Sequence, residues 1–221
     1  MAWSSSLKSL LTAFVFSILA VSSVDSIGCS VSSCVGTSCS PSSTCTASKE
    51  CFNQIQKFDT PSVNTDRTYK EKGCSVDTCS DVEYSATLGD QRKFSYVNRC
   101  CTSENCNKED LTVSSQSSEY NGVECPACYS EKDPKCSSVT TLKCTGKETK
   151  CVEITGTETG TSALTLFGKG CATENACNLS MKVFKDIQIK STCISPVSNG
   201  SPTIKSISSF PIILLLLKVL L

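Results

Sequence analysis

Cys125-Pro126-Ala127-Cys128 has the two-residue spacing at which a thiol pair runs redox exchange or grips a zinc ion, and it stands in a chain of 221 residues with eighteen cysteines and no histidine. Without an imidazole there is no Ser-His-Asp or Cys-His arrangement to activate a nucleophile, and a zinc site loses its usual nitrogen donor. Cysteine at about 8% of a chain, in an even number, is the composition of a disulfide-stapled scaffold, whose bridged sulfurs are not nucleophiles. Cys125 and Cys128 are therefore read as structural, no metal or cofactor is expected, and the chain is read as a non-enzyme. The adjacent carboxylates Glu109-Asp110 lack a loop spacing that gathers about six to eight oxygens around calcium, so they read as a solvated face.

Disulfides persist in oxidising compartments, and both ends of the chain point there. Residues 1–26 read as a signal peptide: Lys8 precedes the apolar run from Leu10 to Ala20, small residues follow from Val21, and cleavage falls after Ser23 or Ser26. The run is too short to cross a bilayer core of about 30 Å. At the other end, the small residues Ser198-Asn199-Gly200-Ser201 precede a polar spacer, Pro202 to Ser209, and an apolar tail, Phe210 to Leu221, that contains Lys218. Small site, polar spacer and short apolar tail is the order of a GPI-attachment signal. It predicts a glycolipid on Asn199, with Ser198 and Gly200 as the neighbouring alternatives, and removal of residues 200–221. The mature protein is expected on the outer leaflet of the plasma membrane, with a secreted form as the alternative that Lys218 leaves open.

Between these signals the order of cysteines repeats, which is the mark of an internal duplication. The first group is Cys29, Cys34, Cys39, Cys45, Cys51, Cys74, Cys79, Cys100, Cys101 and Cys106; the second is Cys125, Cys128, Cys136, Cys144, Cys151, Cys171, Cys177 and Cys193. Lys72-Gly73-Cys74 and Lys169-Gly170-Cys171 repeat even the residues before the sixth cysteine of the first group and its counterpart. The reading is a first domain over 27–110, a Ser-rich flexible linker over 111–121 and a second domain over 122–199. Domains of about 80 residues hold only a small apolar core, so bridges worth roughly 2–4 kcal/mol each decide whether they fold. Arg92 to Val97 spaces its aromatics by two, and Ala163 to Phe167 alternates likewise, so both predict strands. Cys151 to Ile154 and Ala163 to Phe167 flank Thr155 to Ser162 as a hairpin with a polar tip. The expected fold class is all-β and disulfide-rich.

The end of the first group, Cys100-Cys101-Thr102-Ser103-Glu104-Asn105-Cys106-Asn107, resembles the terminal Cys-Cys-x4-Cys-Asn of the Ly-6/uPAR superfamily, whose domains are three-finger folds. The resemblance covers nearly all of the mature chain and implies two tandem three-finger domains. Carried over position by position, it implies the pairs Cys29 with Cys51, Cys34 with Cys39, Cys45 with Cys74, Cys79 with Cys100, and Cys101 with Cys106. In the second domain it implies Cys125 with Cys151, Cys128 with Cys136, Cys144 with Cys171, and Cys177 with Cys193. Cys29 and Cys34 have four residues between them where the family usually has two, and the second domain lacks the terminal motif. Cys125 to Ser130, Lys143 to Cys151 and Lys169 to Leu179 are similar to the gamma-class phospholipase inhibitors.

Charge adds little, with 21 basic and 21 acidic residues. Nothing favours nucleic acid, and Arg92-Lys93 and Lys182-Val183-Phe184-Lys185 read as ordinary surface patches. Asn178-Leu179-Ser180 is an N-glycosylation sequon, with Asn178 the expected site, whereas Asn199-Gly200-Ser201 overlaps the anchor signal. Asn107 is expected to bond backbone near Cys106. Recognition then falls to exposed tips on a rigid scaffold: Phe58 to Asp66, Leu88 to Gln91, and Thr155 to Ser162. The functional expectation is a GPI-anchored glycoprotein that binds an extracellular or cell-surface protein as receptor, co-receptor or adhesion component. The alternative is a secreted phospholipase inhibitor of the gamma class.

Overall fold

A computed structural model describes residues 26–61, 67–131 and 133–197. Asn199 and the anchor signal lie outside the described residues, as does the signal peptide up to residue 25. The first half contains β1 (Ile27–Val35), β2 (Ser38–Cys39), β3 (Ser43–Ala47), β4 (Cys51–Asp59), β5 (Arg67–Cys74), β6 (Val82–Leu88) and β7 (Lys93–Cys101). The second contains β8 (Tyr120–Ser130), β9 (Thr140–Thr145), β10 (Lys150–Glu158), β11 (Leu164–Ala172), β12 (Ser180–Val183) and β13 (Ile187–Ile194). The only helical elements among the described residues are single 3-10 turns at Gly89–Gln91 and Glu174–Ala176. The fold is all-β and disulfide-rich.

The two halves repeat one antiparallel topology. In the first, β4 lies between β5 and β7, β6 pairs with β7, and β1 pairs with β3 and β5. In the second, β10 lies between β11 and β13, β12 pairs with β13, and β8 pairs with β9 and β11. The period-two aromatics of the first half become strand β7, where Phe94 and Tyr96 point to one face and meet Ala86 and Tyr84 across the ladder to β6. Tyr84 stacks on Tyr96 with ring centroids 5.2 Å apart, a cross-strand pairing that stabilises the sheet.

Each half gathers its strand ends on cystines. Nine bridges join Cys29–Cys51, Cys34–Cys39, Cys45–Cys74, Cys79–Cys100, Cys101–Cys106, Cys125–Cys151, Cys128–Cys136, Cys144–Cys171 and Cys177–Cys193. Cys29, Ala47 and Cys51 form one buried hub, and Cys125, Cys144, Cys151 and Cys171 the other. Asn107 completes the first hub. Its buried amide donates to the carbonyls of Ser30, Phe52 and Gly73 and accepts from the Ser30 N–H, tying β1, β4 and β5 together. The expected backbone role of Asn107 is thus long-range, not local to Cys106.

The halves are not two separately packed beads. Strand β11 pairs with β6 through Gly170–Leu88, Cys171–Thr87 and Ala172–Ala86, so both halves form one continuous sheet. The largest apolar cluster lies across this joint, uniting Tyr84, Ala86, Leu88, Phe94 and Tyr96 with Val152, Ile154, Ala172, Val183 and Ile189. Two glycines permit the approach. A Cβ on Gly170 would lie 2.0 Å from the Thr87 carbonyl oxygen, and one on Gly89 would lie 2.4 Å from the Cys128 backbone.

Candidate functional site: the groove between the halves

All eighteen cysteines are bridged, so the sulfurs gathered in the two hubs are cystine atoms, not free ligands. Cys125 and Cys128 belong to different bridges, to Cys151 and Cys136. Glu109 and Asp110 are both exposed, as expected of a solvated face, and Asp110 also pairs with two lysines. Lys72 Nζ reaches it at 2.6 Å and Lys70 Nζ at 3.0 Å, which holds its carboxyl below the ordinary range. Glu109 contributes its carbonyl to the Asn53 side chain.

Polar contacts clasp the joint around the shared core. The Ser85 N–H donates to Thr173 Oγ1 at 3.1 Å, and the Thr173 N–H donates to the Ser85 carbonyl at 3.0 Å. Ser85 Oγ donates to Glu148 Oε1 at 2.7 Å, and Gln116 Nε2 donates to Ser85 Oγ at 2.9 Å. Ser114 bonds Glu83, so the Ser-rich segment between the halves is tied to β6 at two points. Glu148, only 3% exposed, has its carboxyl raised by burial, with hydrogen bonds from Ser85 and Thr87 and the charge of Lys93 opposing the rise.

The β12–β13 hairpin reaches back onto the first half. Its turn residues Phe184 and Lys185 hold φ at 48° and 73°, a left-handed conformation that costs non-glycine residues free energy. The contacts at the tip offset that cost. The Phe184 N–H donates to Gln56 Oε1 at 2.7 Å, its ring meets Phe94 edge-on at 6.0 Å, and the Lys185 ammonium sits 5.5 Å from the centre of the Tyr69 ring.

These elements enclose a groove of about 670 Å³. Leu88, Phe94, Ile154, Val183 and Ile189 give it an apolar floor. Arg67 and Arg92 come from the first half; Glu131, Glu158 and Asp186 come from the second. Arg92 lies flat over Tyr129, its guanidinium carbon 4.1 Å from the ring centre, and its Nη1 is 3.8 Å from Glu131 Oε1. Burial pushes the Tyr129 hydroxyl up to about 12, Glu131 adding to the rise and the two arginines opposing it.

The expected recognition tips differ in how much of each is exposed: Asp90 and Gln91 are exposed, but Leu88 and Gly89 beside them are not. Leu88 is 2% exposed and Gly89 is buried against Cys128, because this tip is the wedge on which the second half packs. Phe58 is half-buried, with its ring 6.1 Å from that of Tyr129, and residues 62–66 lie outside the described residues. In the third, Thr155 to Glu158 continue β10, leaving Thr159 to Ala163 as an exposed tip. Asn178 is exposed beside Cys177, with φ at 56°. The basic stretches read as plain surface are in part structural: Arg92 lines the groove, and Val183, Phe184 and Lys185 make the inter-half contacts. The sequence signal for this was the pairing of cations with aromatics and Val183, which local patterning does not separate from a surface patch.

No model of a known protein family matches the chain. Among curated proteins it is similar to protein RoBo-1 of Rattus norvegicus, at 42% identity over 208 residues that cover 93% of this chain and 84% of that protein. It is 27% identical over 172 residues to Ly6/PLAUR domain-containing protein 8 of Bos taurus, covering 75% of this chain and 73% of that protein. It is 34% identical over 128 residues to the phospholipase A2 inhibitor 25 kDa subunit of Naja kaouthia, covering 55% of this chain and 69% of the inhibitor. Duplicated strands hung on cystine hubs, with relatives of this kind along most of its length, show that the chain belongs to the Ly-6/uPAR family and is a non-enzymatic binding protein.

Proposed function

We propose that the chain is a GPI-anchored cell-surface glycoprotein that binds an extracellular or cell-surface protein as receptor, co-receptor or adhesion component. The observation that carries the binding role is the ordered, exposed tip Thr159 to Ala163 on a scaffold stiffened by the shared core. Glu158 N–H donates to the Ala163 carbonyl at 2.8 Å, Ser162 N–H to the Glu158 carbonyl at 3.0 Å, and Thr159 N–H to the Asp186 carbonyl at 2.6 Å. A loop held this way loses little conformational freedom on binding. The small site, polar spacer and apolar tail around Asn199 support the anchor, and the exposure of Asn178 supports a glycan there.

The test is surface staining of cells expressing the full chain, before and after phosphatidylinositol-specific phospholipase C. Release into the medium supports the anchor, and signal that resists release, or protein found only in the medium, refutes it. The glycan is checked by a glycosidase mass shift that Asn178→Gln abolishes.

A second reading, a secreted phospholipase inhibitor, is favoured by the 34% identity to the Naja kaouthia inhibitor subunit. Absence of inhibition of secreted phospholipase A2 at micromolar excess of the protein rules it out.

A further inference from the structure

Among the described residues, β2, β3, β9 and β12 each pair with a single neighbour, so each leaves one edge of backbone open. Open edges template pairing with other chains, and proteins guard them with charge, with shortness or with a covering group. Strand β9 carries the exposed Lys143 and β12 the exposed Lys182, while β2 is only 2 residues long. Strand β3 has neither defence. It runs over the 5 residues Ser43–Ala47 without a charge, and no charged residue occurs anywhere from Ile27 to Ser48.

The edge of β3 and its approach carry hydroxyls instead. Ser40-Pro41-Ser42-Ser43-Thr44 is exposed throughout, and the hydroxyls of Ser42, Ser43 and Thr44 make no hydrogen bond among the described residues. Pro41 fixes its own φ and keeps Ser40 out of the helical region, so the chain enters β3 extended. Serine and threonine gathered around a proline are the composition that carries O-linked sugar outside the cell. Other hydroxyl-rich segments differ in chemistry. Ser114 donates to Glu83, Ser117 accepts the Glu119 N–H, and Thr161 donates to Glu158. Ser137 to Thr141, the stretch before β9 in the second half, contains no proline and leads into the strand that Lys143 guards.

We infer that Ser42, Ser43 and Thr44 form a mucin-type O-glycosylation site, taking N-acetylgalactosamine from a nucleotide-activated sugar. A hydroxyl oxygen bonds to the anomeric carbon as the bond from that carbon to the nucleoside diphosphate breaks. The diphosphate leaves and the hydroxyl proton is released. The bulky, solvated sugar then covers the β3 edge that no charge protects. This inference rests on the secretory part of the proposed function, and on neither the receptor role nor the anchor.

The full chain is expressed in mammalian cells, collected from the cell surface or the medium, reduced, freed of N-glycans and mapped by mass spectrometry with fragmentation that preserves O-linked sugar. The peptide spanning Ser40 to Thr44 is expected to carry N-acetylhexosamine, and the combined Ser42→Ala, Ser43→Ala and Thr44→Ala variant to lose it. Unmodified Ser42, Ser43 and Thr44 on a chain that has left the cell overturn the inference alone. So does O-linked sugar confined to Ser114–Ser118 or Ser137–Thr141, or a map that the triple substitution leaves unchanged. A chain that reaches neither the surface nor the medium overturns the secretory reading together with the inference.

Discussion

Replacing Leu88 with alanine tests whether the two halves are one folding unit. Leu88 belongs by sequence to the first half, yet it is 2% exposed in a cluster that includes Val152, Ile154, Val183 and Ile189 of the second. A Cβ added to Gly168 would lie 2.8 Å from Leu88 Cδ1, so the side chain is in close contact with β11 as well. Truncating a buried leucine removes its transfer free energy and leaves a cavity, together about 2–5 kcal/mol. In a protein of this size each kcal/mol lowers the melting temperature by roughly 2–4 °C, so a fall of about 4–20 °C is expected. The diagnostic assay is native-state hydrogen exchange resolved by strand. If the shared core makes the halves cooperative, amides of β10 and β13 lose protection together with those of β6 and β7, although Leu88 lies in β6 and in neither β10 nor β13. The reasoning is refuted if exchange rises only in β4 to β7 while β10 and β13 keep wild-type protection, because the halves would then unfold independently.

Three further outcomes follow from the same joint and its hubs. Because burial raises the Glu148 carboxyl above its ordinary value of 4.5, the protonated form is favoured by folding, so stability from this group is greatest at acid pH and is lost as pH rises through the raised value. Glu148→Gln should therefore raise the denaturant midpoint at pH 7.5 and flatten its change between pH 5 and 7.5; Asp110 and Glu83, whose carboxyls are lowered, act below that window. Gly170→Ala should part β6 from β11, since its Cβ would meet a backbone oxygen at 2.0 Å; a loss of about 1–3 kcal/mol or more is expected in denaturant unfolding, and a neutral result contradicts the close approach. Asn107→Ala leaves the carbonyls of Ser30, Phe52 and Gly73 without their amide, at about 1–3 kcal/mol per buried group left unsatisfied, and should lower the midpoint while leaving the joint's exchange pattern unchanged.

The parts of the fold legible in the sequence are those written in local patterns. Phe94 and Tyr96 alternate because a strand turns successive side chains to opposite faces, and β7 forms there. Leu164 to Phe167 also form a strand, β11, but a bulge at Thr165 interrupts their alternation. The groove was not legible, because its residues are scattered from Phe58 to Ile189 and each has an unremarkable neighbourhood. Leu88 reads as a turn residue and becomes the centre of the core. Arg92 reads as a surface cation and becomes a guanidinium stacked on Tyr129. Gly170 reads as a repeat of Gly73, but the latter packs against Phe52 within its own half, whereas Gly170 admits the other half's backbone.

What the sequence alone determined is the covalent class of the protein: eighteen cysteines in a duplicated order and alternating strands make a disulfide-stapled β scaffold. Composition and short-range periodicity suffice for this, because strand alternation is local and cysteine content sets the class. Only the tertiary structure decided that the duplicated halves share one sheet and one core. That outcome depends on which apolar faces remain uncovered after each hub closes, and on whether small residues at Gly89 and Gly170 let those faces meet. No window of sequence contains both sides of such a contact.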